Sequence, residues 1–177
     1  MHEAPGRRAG RTRSAIIAAF NRLVLERRTR HIRAGDVAAE AGVGRSTFYD
    51  HFSGAEQVRL EALSYPFAIL ADAAAGRGDV VALVRLLDHF WEYRARAREH
   101  FSGRAGEQAR RLLAELIEAR LEGELALAPR LAARQLADAA LAPVRAWLLG
   151  EASATSAALA ESLCRSGAAL AASLRRD

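Results

Sequence analysis

The chain has 177 residues, 51% of them hydrophobic but only 6% aromatic, so its length suits one small domain plus a larger one with cores built chiefly from Leu, Ala and Val. Every one of its 26 basic residues is Arg, and the formal excess of +5 lies in residues 1–55, which carry ten Arg against five acids while the rest carries sixteen of each. One cysteine, Cys164, excludes an intrachain disulfide, and the absence of a long apolar run or an apolar segment behind the charged N-terminus speaks against a membrane span or signal peptide, so a cytoplasmic protein is expected.

Residues 1–11 (M-H-E-A-P-G-R-R-A-G-R) have no apolar pattern. They are expected as a flexible basic arm that reaches phosphates or a minor groove, or as a tail with incidental charge. From Thr12 the pattern is helical, with Ile16, Ile17, Phe20, Leu23 and Val24 on one stripe, Thr12 placed to cap it, and Arg27, Arg28 and Arg30 near its C-terminal end. Val37, Ala38 and Ala41 form the inner face of a second short helix, and Phe48 and Phe52 that of a third. Three helices of this size close around Phe20, Val37, Phe48 and Phe52. Between the second and third stands Ala41-Gly42-Val43-Gly44, where Gly42 supplies the positive φ of a helix C-terminus and Gly44 an acceptable N-cap. Two short helices joined by a tight glycine turn make a helix-turn-helix, so residues 12–54 are expected as a DNA-binding domain.

Arg45 stands at the exposed start of the third helix, where a bidentate contact to guanine O6 and N7 is its natural use. Asp50 is unusual on a helix facing DNA; it would accept from a cytosine N4 or, the favoured reading, orient a neighbouring Arg. Phe48 and Phe52 are core.

The remainder, residues 55–177, is helical with short breaks. One helix spans about Ala55 to Ala75, with Val58, Leu60, Leu63, Phe67 and Leu70. Gly76-Arg77-Gly78 ends it, and Asp79 starts another with Val80, Leu83, Val84, Leu87, Phe90 and Trp91. Ser102-Gly103 precedes a helix with Leu112, Leu113, Leu116, Ile117 and Leu121. Pro129 opens a helix that Gly150 stops, with a local kink expected at Pro143, and a last helix runs from about Ser153 to Leu174. About eight helices and no β pattern predict an all-α, two-part architecture. Cys164, within an Ala/Leu-rich helix, reads as a buried structural thiol.

The run Val37-Ala38, Ala41-Gly42-Val43 and Ser46-Thr47-Phe48-Tyr49-Asp50-His51-Phe52, ahead of an acidic helix start at Glu56, resembles the signature of the tetracycline-repressor (TetR) family. The match covers about residues 12–60. Trp147-Leu148-Leu149-Gly150 resembles, more weakly, a feature of the family's dimer-forming helix. The resemblance implies a homodimer, a three-helix reading head and a C-terminal bundle that binds a small molecule and dimerises through its last two helices. It places Ser46 within the DNA-facing motif and implies phosphate contacts from Thr47, Tyr49 and His51, which fix register without reading sequence. Three positions depart from the family pattern. Arg33 replaces a frequent Thr before the second helix and offers a phosphate contact instead of a side-chain cap. Gly35 removes a frequent base contact. Ala55 replaces a Lys, leaving backbone N–H groups as the anion donors there.

In the second half, Phe67, His89, Phe90, Tyr93, His100 and Trp147 are the candidate lining of a pocket for a small apolar or aromatic effector, with ordinary core packing as the alternative for each. The spacing of His89, Tyr93 and His100 puts them loosely on one helical face. His89 with Asp88, Glu92 and His100 is too loose a set to predict a metal site, and no cofactor is expected. The Ala-rich helices Leu131–Leu149 and Ser153–Leu174 suit a four-helix dimer interface.

The sequence therefore predicts a dimeric transcriptional repressor, released from a pseudo-palindromic double-stranded operator by a small-molecule effector. A nucleoid-associated or division-control DNA-binding protein without an effector is the alternative. No phosphate-binding glycine loop, nucleophile beside a His, or paired carboxylates suggest an enzyme.

Overall fold

A computed structural model describes residues 5–26 and 32–176. Among them nine helices follow one another: α1 (Pro5–Glu26), α2 (Ala34–Glu40), α3 (Arg45–His51), α4 (Ala55–Ala74), α5 (Val80–Glu92), α6 (Arg94–His100), α7 (Gly103–Glu118), α8 (Pro129–Leu149) and α9 (Ser156–Ser173). No strand occurs among the described residues; Leu125 and Arg175 form one isolated antiparallel bridge. The chain divides into two compact units, Met1–Leu63 and Ser64–Asp177. The division falls within α4 and not at its start, where the sequence places the domain boundary.

In the first unit, Ile16, Phe20, Leu23, Val37, Phe48, Phe52 and Val58 form a buried cluster with Ala19 and Ala38. All four residues expected at its centre are there. The arm expected over residues 1–11 is different: α1 begins at Pro5, so residues 5–11 are helical and Thr12 lies inside the helix, not at its cap. Proline at a first helical position is already set to helical φ, and the Ala and Arg that follow are good helix formers. Residues 1–4, Arg27, Arg28 and Arg30 lie outside the described residues.

The turn between α2 and α3 is built from local chemistry. Gly42 has φ +67°. Its N–H donates to the Ala39 carbonyl at 3.1 Å, and the Val43 N–H donates to that of Ala38 at 3.0 Å. This pair of bonds is a Schellman closure, which satisfies carbonyls that the helix end would otherwise leave bare. Val43 then packs against the core, and Gly44 is the N-cap of α3.

In the second unit the Asp79 carboxylate caps α5, accepting from the N–H of Val81 at 2.8 Å and of Ala82 at 3.3 Å. α7 packs on α8, where Ala132, Ala133, Ala137 and Ala140 are buried beside Leu136, Val144 and Leu148. Small side chains allow that close approach. α5 and α8 each pack against α9. α8 is a single helix containing Pro143, and Gly150 follows it with φ +80°. Thr155 caps α9, accepting from the Ala158 N–H at 3.1 Å. No helix among the described residues is long and apolar enough to cross a membrane.

Candidate nucleic-acid interface

α3 has a core side and a ligand side, separated by helical spacing. Phe48 is wholly buried and Phe52, just past the helix, nearly so. Arg45, Ser46, Tyr49 and Asp50 are exposed, with Tyr49 58% accessible, while Thr47 and His51 are half-buried. Tyr49 meets Phe48 in a T-shaped contact with 5.4 Å between ring centroids, so its ring is braced although the residue is exposed.

Arg33 is the N-cap residue of α2. Its carbonyl accepts from the N–H of Asp36 at 3.0 Å and of Val37 at 3.2 Å. The Asp36 carboxylate accepts from the Arg33 N–H at 3.1 Å. An arginine side chain has no acceptor, so this is the reverse half of a capping box. The guanidinium is thereby released from capping. Arg33, Gly35, Arg45, Phe48 and Tyr49 line a cleft of about 210 Å³ between α2 and α3. Arg45 crosses it, with Nη2 3.5 Å from the point a Cβ on Gly35 would occupy. Two guanidiniums and a phenol thus share one concavity, a donor-rich arrangement suited to phosphate and base edges. Asp50 forms no ion pair among the described residues, so the Arg-orienting role has no partner there.

Arg13, not singled out in the sequence, fixes α3. It pairs with Glu61 of α4, donates from Nη1 to the His51 carbonyl at 2.8 Å, and lies 4.4 Å over the Phe52 ring. Its signal was its position three and four residues ahead of Ile16 and Ile17, at the edge of the apolar stripe. Just ahead of α4, Gln57 Oε1 accepts from the Ser53 N–H at 2.6 Å.

The candidate effector residues separate into three groups. Phe67 and Phe90 both pack on Phe101, with centroids 6.0 and 5.7 Å away. His89 lies against Tyr93 at 4.8 Å. Trp147 is stacked on Trp91 at 4.7 Å and donates from its indole N–H to the Ala154 carbonyl at 3.0 Å. No one helix carries His89, Tyr93 and His100, because α5 ends at Glu92 and Tyr93 (φ −103°, ψ 33°) separates it from α6, although His89 and Tyr93 are in contact. The side chain of His100 lies outside the described residues. Beyond this break Arg94 and Arg98 both donate through Nε to the Leu148 carbonyl, at 2.8 and 2.7 Å. Their tertiary demand accounts for a break that the sequence pattern does not announce. Among the described residues no three His, Cys, Asp or Glu side chains gather as a metal site.

No family model matches the chain, and no curated protein matches it in sequence. Solved structures match its fold. The dihydroxyacetone kinase operon activator DhaS aligns over 93% of this chain and 98% of its own, with TM-score 0.53 and 17% identity. The TetR family repressor AlkX from Dietzia sp. strain DQ12-45-1b aligns over 93% and 98%, with TM-score 0.51 and 20% identity. A TetR transcriptional regulator from Streptococcus agalactiae 2603V aligns over 94% and 96%, with TM-score 0.50 and 22% identity. The all-α fold is therefore the one these transcriptional regulators adopt, along nearly the whole chain.

Proposed function

We propose that this chain is a TetR-type transcriptional regulator that reads double-stranded DNA as a homodimer and is released from its operator by a small apolar or aromatic effector. One observation carries the reading: α3 buries Phe48 while exposing Arg45, Ser46, Tyr49 and Asp50, directly after a glycine turn of helix-turn-helix form. A helix so divided can enter a major groove without disturbing its own core. In the proposed complex Arg45 contacts a guanine, and Arg33, Thr47, Tyr49 and His51 hold phosphates. The fold is shared with proteins described as an activator and as a repressor, and repression is the reading adopted for this chain.

Dimerisation through α8 and α9 would bring two reading heads to successive major grooves, about 34–36 Å apart. The division between the two compact units falls within α4, which contains Pro66, and an effector bound in the second unit would act on the head through that helix. The effector must favour the non-binding state by a few kcal/mol to act in this way.

The test is selection from random duplexes at about 100 mM salt, where non-specific phosphate binding is already weakened. A palindrome with half-sites one helical turn apart is expected. Salt-sensitive binding without a consensus would overturn the operator-reading proposal in favour of a nucleoid-type role.

A further inference from the structure

We propose that Gly35 and Arg45 form one specificity element, in which the missing side chain on α2 sets where the recognition-helix guanidinium lies and therefore which base it reads. The inference rests on the proposed DNA-reading role. By itself Gly35 looks like a lost contact, since a residue without a side chain cannot touch a base. The cleft gives it a different use. Arg45 Nη2 and Nε lie 3.5 and 3.9 Å from the position of a Cβ on Gly35, so the guanidinium rests within van der Waals range of that position, and atoms beyond a Cβ would compete with it for the cleft.

Among the described residues no hydrogen bond or ion pair engages the five N–H donors of Arg45. An unrestrained arginine has many rotamers and loses them on pairing with a base. Resting against the bare backbone of α2, in a cleft that Phe48 and Tyr49 also line, reduces that loss and selects a direction. The Asp36 carboxylate of α2 accepts from the Arg33 N–H. Arg33 and Arg45 share the cleft, so each raises the potential the other sees, and a phosphate or guanine edge relieves it.

The cavity geometry gives a graded test. A Cβ at 3.5 Å makes ordinary contact, so Gly35→Ala leaves room for the guanidinium. Gly35→Val and Gly35→Met do not. Duplex selection is repeated with the wild type, the three variants, Arg45→Ala, and the double variants Gly35→Val/Arg45→Ala and Gly35→Met/Arg45→Ala, each checked for helix content. Gly35→Ala should keep the wild-type consensus. Gly35→Val or Gly35→Met should lose about tenfold discrimination at the same guanine that Arg45→Ala loses. Neither should lose more in the Arg45→Ala background, because the effect acts through that side chain. An unchanged consensus in a folded Gly35→Val or Gly35→Met protein would overturn the inference. So would an effect that persists in full without Arg45. A wild type that yields no consensus overturns the DNA-reading proposal itself, a different result from either.

Discussion

Arg13 of α1 donates to the carbonyl oxygen of His51, the last residue of α3, across 2.8 Å. The same guanidinium pairs with Glu61 and covers the Phe52 ring, so one side chain joins α1, the end of α3 and α4 within the first unit. Arg13→Ala would leave the His51 carbonyl and the Glu61 carboxylate without this partner. Both side chains are partly solvated, so the loss is expected to be about 1 kcal/mol, well below that of a buried pair. Glu61→Gln should cost less, because the bond to His51 survives. Urea midpoints of the two variants check the order, and equal losses would assign the stabilisation to the ion pair alone.

The exposed residues of the reading head should separate into two kinds. Arg45→Ala is expected to cost about 1–3 kcal/mol on the preferred duplex and much less on a scrambled one. Arg33→Ala should weaken both duplexes alike and lower the salt slope by about one unit. Tyr49→Phe removes one hydroxyl and should cost about 1 kcal/mol without changing base preference. Titrations at several salt concentrations distinguish these outcomes. A uniform loss for Arg45→Ala would make it a phosphate contact.

What was legible in the sequence was local. The Gly42 turn, the Asp79 cap, the stop at Gly150 and the inward Phe48 and Phe52 each follow from one to four adjacent residues, because capping and helical spacing act over that range. The features that escaped depend on partners far along the chain. Arg13 finds His51 and Glu61, and Arg94 finds Leu148, at separations of 38, 48 and 54 residues. Nothing in R-A-R-A-R marks a helix break after Glu92. The start of α1 was missed for the opposite reason: two glycines and a proline suggest an arm, but a proline at the first helical turn costs nothing there. In the site itself, the candidate DNA-facing residues share α2, α3 and their cleft, whereas the candidate effector residues fall into separate contacts.

Arg94 and Arg98 place two donors on one acceptor, the Leu148 carbonyl, and Arg98 also donates to that of Leu149 at 3.2 Å. These carbonyls close α8, whose last turn has no intrahelical donors left for them. Either single alanine variant leaves Leu148 satisfied by the other arginine. The double variant leaves it bare in a partly buried position. Each single loss should therefore be about 1 kcal/mol, and the double should exceed their sum by at least about 0.5 kcal/mol. Simple additivity in thermal or urea unfolding would show that the two guanidiniums act independently.

Burial pushes the Cys164 thiol above its ordinary pKa, and the nearby Asp79 carboxylate raises it further. Both favour the neutral thiol over the thiolate, the nucleophilic form. Cys164 should alkylate more slowly in the folded chain than in urea at pH 8. The stability linkage has a definite sign. Below the unfolded thiol's pKa both states hold the proton and the contribution is constant; as pH rises through the interval up to the folded pKa, the unfolded state loses its proton first and stability falls. Asp79→Asn should speed alkylation, although it also weakens the cap of α5, so the rate is compared at matched stability. Faster reaction in the folded than in the unfolded chain would contradict the assigned shift.

Trp91 and Trp147 are the two tryptophans of the chain, and they stack at 4.7 Å with 29° between their planes. Arg94 lies 4.4 Å over Trp91, and Trp91 remains 44% accessible. Trp147 is also one of the candidate effector residues, so a ligand seated against it would have to share or displace the Trp91 ring. Aromatic compounds that release the operator should then change tryptophan emission with the same midpoint as release, because one binding event produces both. Trp91→Phe should keep the operator affinity, shift the effector midpoint and reduce the emission change. Release at an unchanged midpoint, with emission constant in the wild type, would place the effector away from Trp147 and leave this stack a packing element of the second unit.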